Sequence, residues 1–305
     1  ADIRFVVRGS RSKGEVVLMI EPNSDALPAA SPNSLWTDAF RRLKKDKVGM
    51  ISLIVIVIYV LVAILCGLDL IFQNYSVADD ARSYLALNAI NWFGTDFLGR
   101  DVLARAAHGT YTSMLVGLLG PGLSVIIGVV LGALAGYFGG RTDALVVWFY
   151  TTVDTIPYIL LISAFAFVLG PGLQTLCIVF GLTGWVGLCR LVRAEFLKHK
   201  EKEYVQSARA LGAGHMRRIF RHILPNVLHI VLIQFSLAFV SVIKAEVILS
   251  YLGLGVEAGT PSWGVMISDA KLELSRGVWW GLLTATLFMF FLVLALNLFT
   301  SALRD

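Results

Sequence analysis

Apolar residues in this chain gather in long unbroken runs, and polar residues gather between them. Six runs are long enough to cross a hydrocarbon layer of roughly 30 Å, which takes about 20 residues of helix. They are Val48–Leu68, Met114–Phe138, Ala144–Leu169, Leu173–Cys189, Val227–Leu249 and Val278–Leu303. Strict apolar–polar alternation, the mark of a membrane β-barrel, is missing from these runs. The pattern predicts an all-α polytopic membrane protein with six transmembrane helices.

Lys and Arg set the orientation. Nine lie in residues 1–47 and nine in residues 190–225, with Arg141 and Arg304 on the same side. The opposite side holds Arg82, Arg100, Arg105, Lys271 and Arg276, and Lys244 falls within a span. This places both termini and the 190–225 segment in the cytoplasm. The domain reading follows. Residues 1–47 form a cytoplasmic N-terminal segment, with an amphipathic helix near 35–48 laid on the inner membrane surface. Residues 48–68 form the first span, residues 69–110 an extracytoplasmic loop, and residues 111–303 the main membrane domain.

Composition agrees with the pattern. Of 305 residues, 57% are hydrophobic and 15% charged, against about 25% charged in a typical soluble domain. The net charge of +5 follows membrane topology and does not point to nucleic acid. Cys66, Cys177 and Cys189 lie in or beside apolar runs and read as small hydrophobes. The five histidines are scattered and no metal-ligand spacing occurs, so no metal site and no catalytic constellation is expected. A phosphate loop of the Gly-x-x-x-x-Gly-Lys-Ser/Thr kind is also missing from the sequence, so ATP hydrolysis is not expected of this chain.

The polar segment 190–225 carries the most information. Glu201–Leu211 has good helix propensity, with Tyr204, Val205, Ala208 and Leu211 on one face. Gly212, Ala213 and Gly214 interrupt it. A second short helix is expected next, with Met216, Ile219, Phe220 and Ile223 on its apolar side, and Pro225 suits the first turn of the following span. Two helices joined by small residues make a knob that can enter a groove on another protein. The plain alternative is a solvated loop. In the second span Gly128, Gly132 and Gly136 share a face and predict close helix packing.

The stretch Glu203-Tyr-Val-Gln-Ser-Ala-Arg-Ala-Leu-Gly212, followed by His222-Ile-Leu-Pro225, resembles the EAA loop of ABC-importer permeases. Gly94-Thr-Asp-Phe-Leu-Gly-Arg-Asp101, Gly136-Tyr-Phe-Gly-Gly140, Ser250-Tyr-Leu-Gly-Leu-Gly255 and Thr260-Pro-Ser-Trp-Gly264 are similar to segments of the C-type permease in the dipeptide, oligopeptide and nickel branch. The resemblance runs from about residue 35 to the end of the chain. It implies the type I importer permease fold in a bacterial inner membrane. It also implies a homologous second permease, two ATP-binding subunits that carry ATP and magnesium, an extracytoplasmic substrate-binding protein and a peptide cargo. No cofactor is expected on this chain itself.

By the same resemblance, Glu203, Tyr204, Gln206, Ser207, Ala208, Arg209, Leu211, Gly212 and Ala213 contact an ATP-binding subunit. The sequence departs from the family's Glu-Ala-Ala at Gln206-Ser207-Ala208, and its C-terminus lacks the usual Gly-Asp. Alone, Gly94–Asp101 reads as a turn entering a helix, with Thr95 or Asp96 as the cap. Ser250–Gly264 reads either as a re-entrant outer loop over the pathway or as a packed connection.

Three charges fall inside spans. Asp154, Lys244 and Glu246 are candidates for the translocation path, since intramembrane ionisable groups usually face an interior or a wet cavity. The competing reading makes them structural pairs between helices. Nickel or another small solute is an alternative cargo. A secondary transporter is the different-class alternative, and it would show paired repeats with broken helices.

Overall fold

Asp46 caps the first described helix. Its carboxylate accepts from the Val48 N–H at 3.0 Å, meeting one of the N–H groups that a helix start leaves free. The computed structural model describes residues 46–257 and 259–304. The amphipathic helix expected near 35–48 therefore lies almost wholly outside the described residues.

The helices, in order, are α1 (Lys47–Gly67), α2 (Val102–Phe138), α3 (Gly140–Asp154), α4 (Tyr158–Leu169), α5 (Leu173–Thr183), α6 (Trp185–Lys200), α7 (Glu203–Ala210), α8 (His215–Arg217), α9 (Leu224–Tyr251), α10 (Trp263–Leu274) and α11 (Trp280–Arg304). Among the described residues, five continuous stretches are long and apolar enough to span a membrane, and six if the bent pair α3–α4 is one span. The described residues are helical throughout, apart from connecting loops and one isolated bridge between Thr95 and Asp101.

Four details depart from the sequence reading, each for a local reason. The third span, expected as Ala144–Leu169, is not straight: α3 and α4 meet at 85°. Pro157 sits between them and cannot donate a backbone N–H, so the helix breaks there. The fourth span, expected as Leu173–Cys189, runs on to Lys200 with a break at Gly184. The second helix begins at Val102, well before Met114. Its polar first turns are buried, with Arg105, His108, Thr110 and Thr112 all enclosed. Finally, the second short helix expected after Gly214 is not separate. α8 passes through a π-helical turn, Arg218–Ile223, straight into α9. Pro225 lies in the first turn of α9 as expected. Its missing N–H leaves a carbonyl one turn earlier without its usual α-helical partner, and a widened turn accommodates the ring.

The predicted glycine face is present and packs on α6. A Cβ at Gly132 would sit 2.6 Å from the Cys189 carbonyl oxygen, and one at Gly136 would sit 2.6 Å from that of Arg193. Only glycine permits this approach of α2 to the α6 backbone.

The segment around Gly94–Asp101 is a polar knot. The Asp96 carboxylate accepts from the Leu98 and Arg100 N–H groups, both at 2.9 Å. It also pairs with the Arg100 and Arg105 guanidinium groups, and Arg105 reaches Asp269 of α10 at 3.1 Å. The cap of α2 is Asp101, which accepts from the Ala104 N–H at 2.8 Å, in place of the expected Thr95 or Asp96. Two tryptophans complete the knot. Trp263 donates to the Ala106 carbonyl at 2.9 Å and Trp280 to the Thr95 carbonyl at 2.8 Å. Ser250–Gly264 packs closely at its end, since a Cβ at Gly264 would lie 2.6 Å from the Val247 carbonyl of α9.

Candidate functional site

Two broken helices meet at a cleft. It has a volume of about 370 Å³ and lies where the α3–α4 bend and the Gly184 break face α2 and α9. Asp154, Ser124, Thr183, Gln234 and Ser241 give it polar lining; Val125, Leu161 and Leu237 are among its apolar residues. Irregular backbone at membrane depth is tolerated where it lines a cavity or is buried in protein. Helix breaks beside a cavity are also a frequent feature of transport pathways.

Asp154 is the one sequence-predicted path residue that lines the cleft. It pairs with Arg190 of α6 at 2.8 Å, and the two side chains are 54% and 51% exposed. Arg190 also lies over the Tyr150 ring, 5.1 Å from its centroid. Lys244 is exposed on α9 and outside the cleft lining. Glu246 is completely buried. One of its oxygens accepts from the Ser250 hydroxyl at 2.7 Å and from the Ser262 hydroxyl at 2.8 Å. This joins the end of α9 to the start of α10, which is the structural-pair role weighed for it.

Sequence reasoning missed Gln234, Ser241 and Arg190. The first two stand seven residues apart, hence on one helix face, and a paired polar site inside an apolar run was their available signal. Arg190 looked like ordinary flanking charge because its partner is 36 residues away.

The second component is the knob. α7 is held by two buried residues, Val205 and Ala208. Val205 is 2% exposed and packs in one cluster with Val192 and Phe196 of α6, Ile219 and Ile223 of the π-turn, and Val227 of α9. Polar bonds fix its base. The Tyr204 hydroxyl meets His199 Nδ1 at 2.7 Å. The Gln206 amide donates to the Lys200 carbonyl at 3.1 Å, closing one of the carbonyls that the end of α6 leaves open. An amide suits that contact and a carboxylate does not, which gives the departure at residue 206 a local rationale.

The helix ends in a Schellman turn. The Ala213 N–H bonds to the Ala208 carbonyl at 2.9 Å and the Gly212 N–H to that of Arg209 at 3.0 Å. Gly212 has φ 82°, a conformation glycine adopts without penalty. The tip it creates is bare: Leu211 is 88% exposed, Met216 61% and Phe220 62%. A Cβ at Gly212 or Gly214 would meet nothing within 4 Å. Glu203, Ser207 and Arg209 are exposed on the same short helix, and Ala213 is half-buried.

Two arginines tie cleft and knob together. Arg193 of α6 grips the Asp143 carboxylate at the start of α3 through two of its nitrogens, and Arg190 grips Asp154 at its end. Between them Val146 and Tyr150 pack on Trp185, Val186 and Cys189. α3 is thus strapped to α6, and α6 leads directly into α7.

Residues 128–305 match the family described as binding-protein-dependent transport system inner membrane component. Residues 34–86 match the N-terminal transmembrane domain of oligopeptide transport permease C. The chain is 35% identical over 292 residues to the dipeptide transport system permease protein of Bacillus subtilis, covering 95% of this chain and 90% of the relative. It is 37% identical over 246 residues to the oligopeptide transport system permease protein of the same organism, covering 81% and 80%. A solved inward-facing MetNI methionine ABC transporter aligns with TM-score 0.54 at 16% identity, over 67% of this chain and 95% of that one.

Proposed function

The chain belongs to the family of binding-protein-dependent transport system inner membrane components, a multi-pass membrane permease, and from that premise we propose that it imports di- or oligopeptides as half of a pore driven by partner ATPases. A second, homologous permease completes the pathway. Two ATP-binding subunits carry ATP and magnesium, and an extracytoplasmic binding protein delivers the peptide. Both termini and the 190–225 segment face the cytoplasm, so the knob meets the ATPases. Similarity to dipeptide and oligopeptide permeases supports the cargo.

The observation that carries this reading is the bare apolar tip on an anchored base. Exposed Leu211, Met216 and Phe220 surround a left-handed glycine. The helix beneath them is packed, through Val205, onto α6 and onto the turn leading into α9. Closure of an ATPase dimer around the tip would move α6. The strap then carries α3 and the lip of the cleft with it, opening the cleft to one side or the other.

Gly212→Trp in the assembled importer is the test. Any side chain at φ 82° is strained by roughly 1–2 kcal/mol, so Gly212→Ala serves as the matched control for strain without bulk. Peptide uptake into proteoliposomes should persist in the alanine variant and fail in the tryptophan variant, with ATP hydrolysis continuing uncoupled. Normal uptake by Gly212→Trp would sink the docking assignment.

A further inference from the structure

A second cleft, of about 520 Å³, opens beside the base of the knob. Lys200, Arg209, His215 and Arg218 line it, with Glu201 as its carboxylate and the Gln206 amide beside them. Tyr137 and Phe138, the last residues of α2, line it too. α2 and α6 end here, and the helical stretch that begins at His215 starts here. The cleft therefore sits where these helices end, beyond the apolar runs.

One donor of its lining, on Arg218, lacks an acceptor. His215 Nδ1 lies 3.2 Å from Arg218 Nη2 and 3.0 Å from the Tyr137 hydroxyl. A guanidinium can only donate, so Nδ1 accepts and the ring hydrogen is on Nε2. Arg218 lies over the Tyr137 ring, 5.6 Å from its centroid, and its Nε–H is buried with no acceptor. A buried guanidinium nitrogen without a partner is unusual and calls for a group that brings oxygen. Four positively charged or donor side chains against one carboxylate call for that group to be an anion. Arginine's fork and lysine's point charge are the pair that binds phosphate.

We propose that this cleft binds a phosphate group at the foot of the knob, and that Arg218 and Lys200 hold it. The phosphate of an anionic phospholipid is the source that Tyr137 favours, since tyrosine concentrates at the headgroup level. Free inorganic phosphate has the same chemistry. A bound headgroup would fix the hinge between α6 and α7 to the membrane surface, so that force on the tip turns α6 instead of sliding the segment along the bilayer. The site does not rest on the peptide reading and needs only the chain in a membrane.

Native mass spectrometry of the full-length chain, extracted with phosphatidylglycerol or with phosphatidylcholine only, tests this. Wild type should retain one phosphatidylglycerol that Lys200→Gln and Arg218→Gln hold about fivefold more weakly each, the effect of losing one cation at a lipid surface. Arg218→Lys, which keeps the charge, should hold it better than Arg218→Gln. Retention unmoved by millimolar inorganic phosphate supports the headgroup. Phosphate binding without lipid preference, lost in both variants, supports the free ion. Equal retention by wild type and both glutamine variants, or no binding of either probe, overturns the proposal. Lys200 is half-buried and outside the apolar clusters, so its variant stands as a test even where Arg218→Gln does not fold.

Discussion

Replacing Val205 with alanine separates the base of the knob from its tip. Val205 is 2% exposed, and the only other buried residue of α7 is Ala208. Truncation removes two methyl groups, worth about 0.8 kcal/mol each in transfer, and leaves a cavity against Phe196 and Ile223 that adds to this. The attachment of α7 should weaken by about 2 kcal/mol, which raises the open population about 30-fold. Leu211→Ala is the counterpart. At 88% exposure its loss should change the permease alone by under about 0.5 kcal/mol. Its burial in an ATPase groove would be worth roughly 1.5–3 kcal/mol, so docking affinity should fall tenfold or more. Hydrogen exchange of residues 203–214 reads the first effect, and binding of the ATPase subunit to reconstituted permease reads the second. The reasoning is refuted if Val205→Ala leaves exchange unchanged, or if Leu211→Ala docks as tightly as wild type.

Three further outcomes are expected. Gly132→Val should fail to assemble a stable chain, because its Cβ would press on the Cys189 carbonyl and backbone cannot yield as a side chain can; overpacking of this kind costs about 1–3 kcal/mol or more, and the thermal midpoint of purified protein reads it. Asp154→Arg and Arg190→Asp should each impair peptide uptake, while the double reversal restores it; a double variant no better than the singles would remove the strap from the mechanism. Glu273 gives a pH prediction. Burial pushes its carboxyl pKa up, the Phe97 N–H and Arg105 pull it partly back, and Asp96 and Asp269 push it further up. A raised folded pKa means this group's contribution to stability is full below the ordinary glutamate range and is lost as pH rises through the raised value. The thermal midpoint should therefore lose a pH-dependent component in that window in Glu273→Gln, and an unchanged pH profile would contradict the assignment.

Much of the membrane architecture was readable from apolar run length, because a bilayer imposes length on every helix that crosses it. The glycine face was readable because its spacing alone puts Gly128, Gly132 and Gly136 together. What stayed hidden had a physical reason in each case. Pro157 announces a break, but its angle of 85° depends on what α3 and α4 pack against. The first turns of α2 carry Arg105, His108 and several hydroxyl residues, so they look like loop. They are helical and buried because the Asp96 knot supplies their partners. The lining of the cleft needs Ser124, Thr183 and Gln234 to converge from three helices, and no local pattern contains that. The knob was the reverse case. Its helix and its glycine stop are local and lie where the spacing put them, whereas Leu211, Met216 and Phe220, expected on the apolar faces with Val205 and Ile219, stand exposed at the tip.

The intramembrane charges sort by what encloses them. A group can act on cargo only if cargo can reach it, and it can relay motion only if its partner lies on another moving element. Glu246 meets neither condition. It is fully buried, and its hydroxyl partners Ser250 and Ser262 lie at the packed junction of α9 and α10, so reaching it would mean unpacking that junction. Asp154 meets both: it lines the cleft, half-exposed, at the break between α3 and α4, and its partner Arg190 sits on α6. Ten residues of helix, about 15 Å, separate Arg190 from the last residue of α6. A rigid rod of that length, gripped at α3 by two carboxylates and joined at its end to α7, would convert a push at the tip into displacement at the cleft under the proposed function. The ion pair is exposed enough that its contribution to stability is small. Its value is positional, and that is why exchanging the two charges should preserve function where removing either one does not.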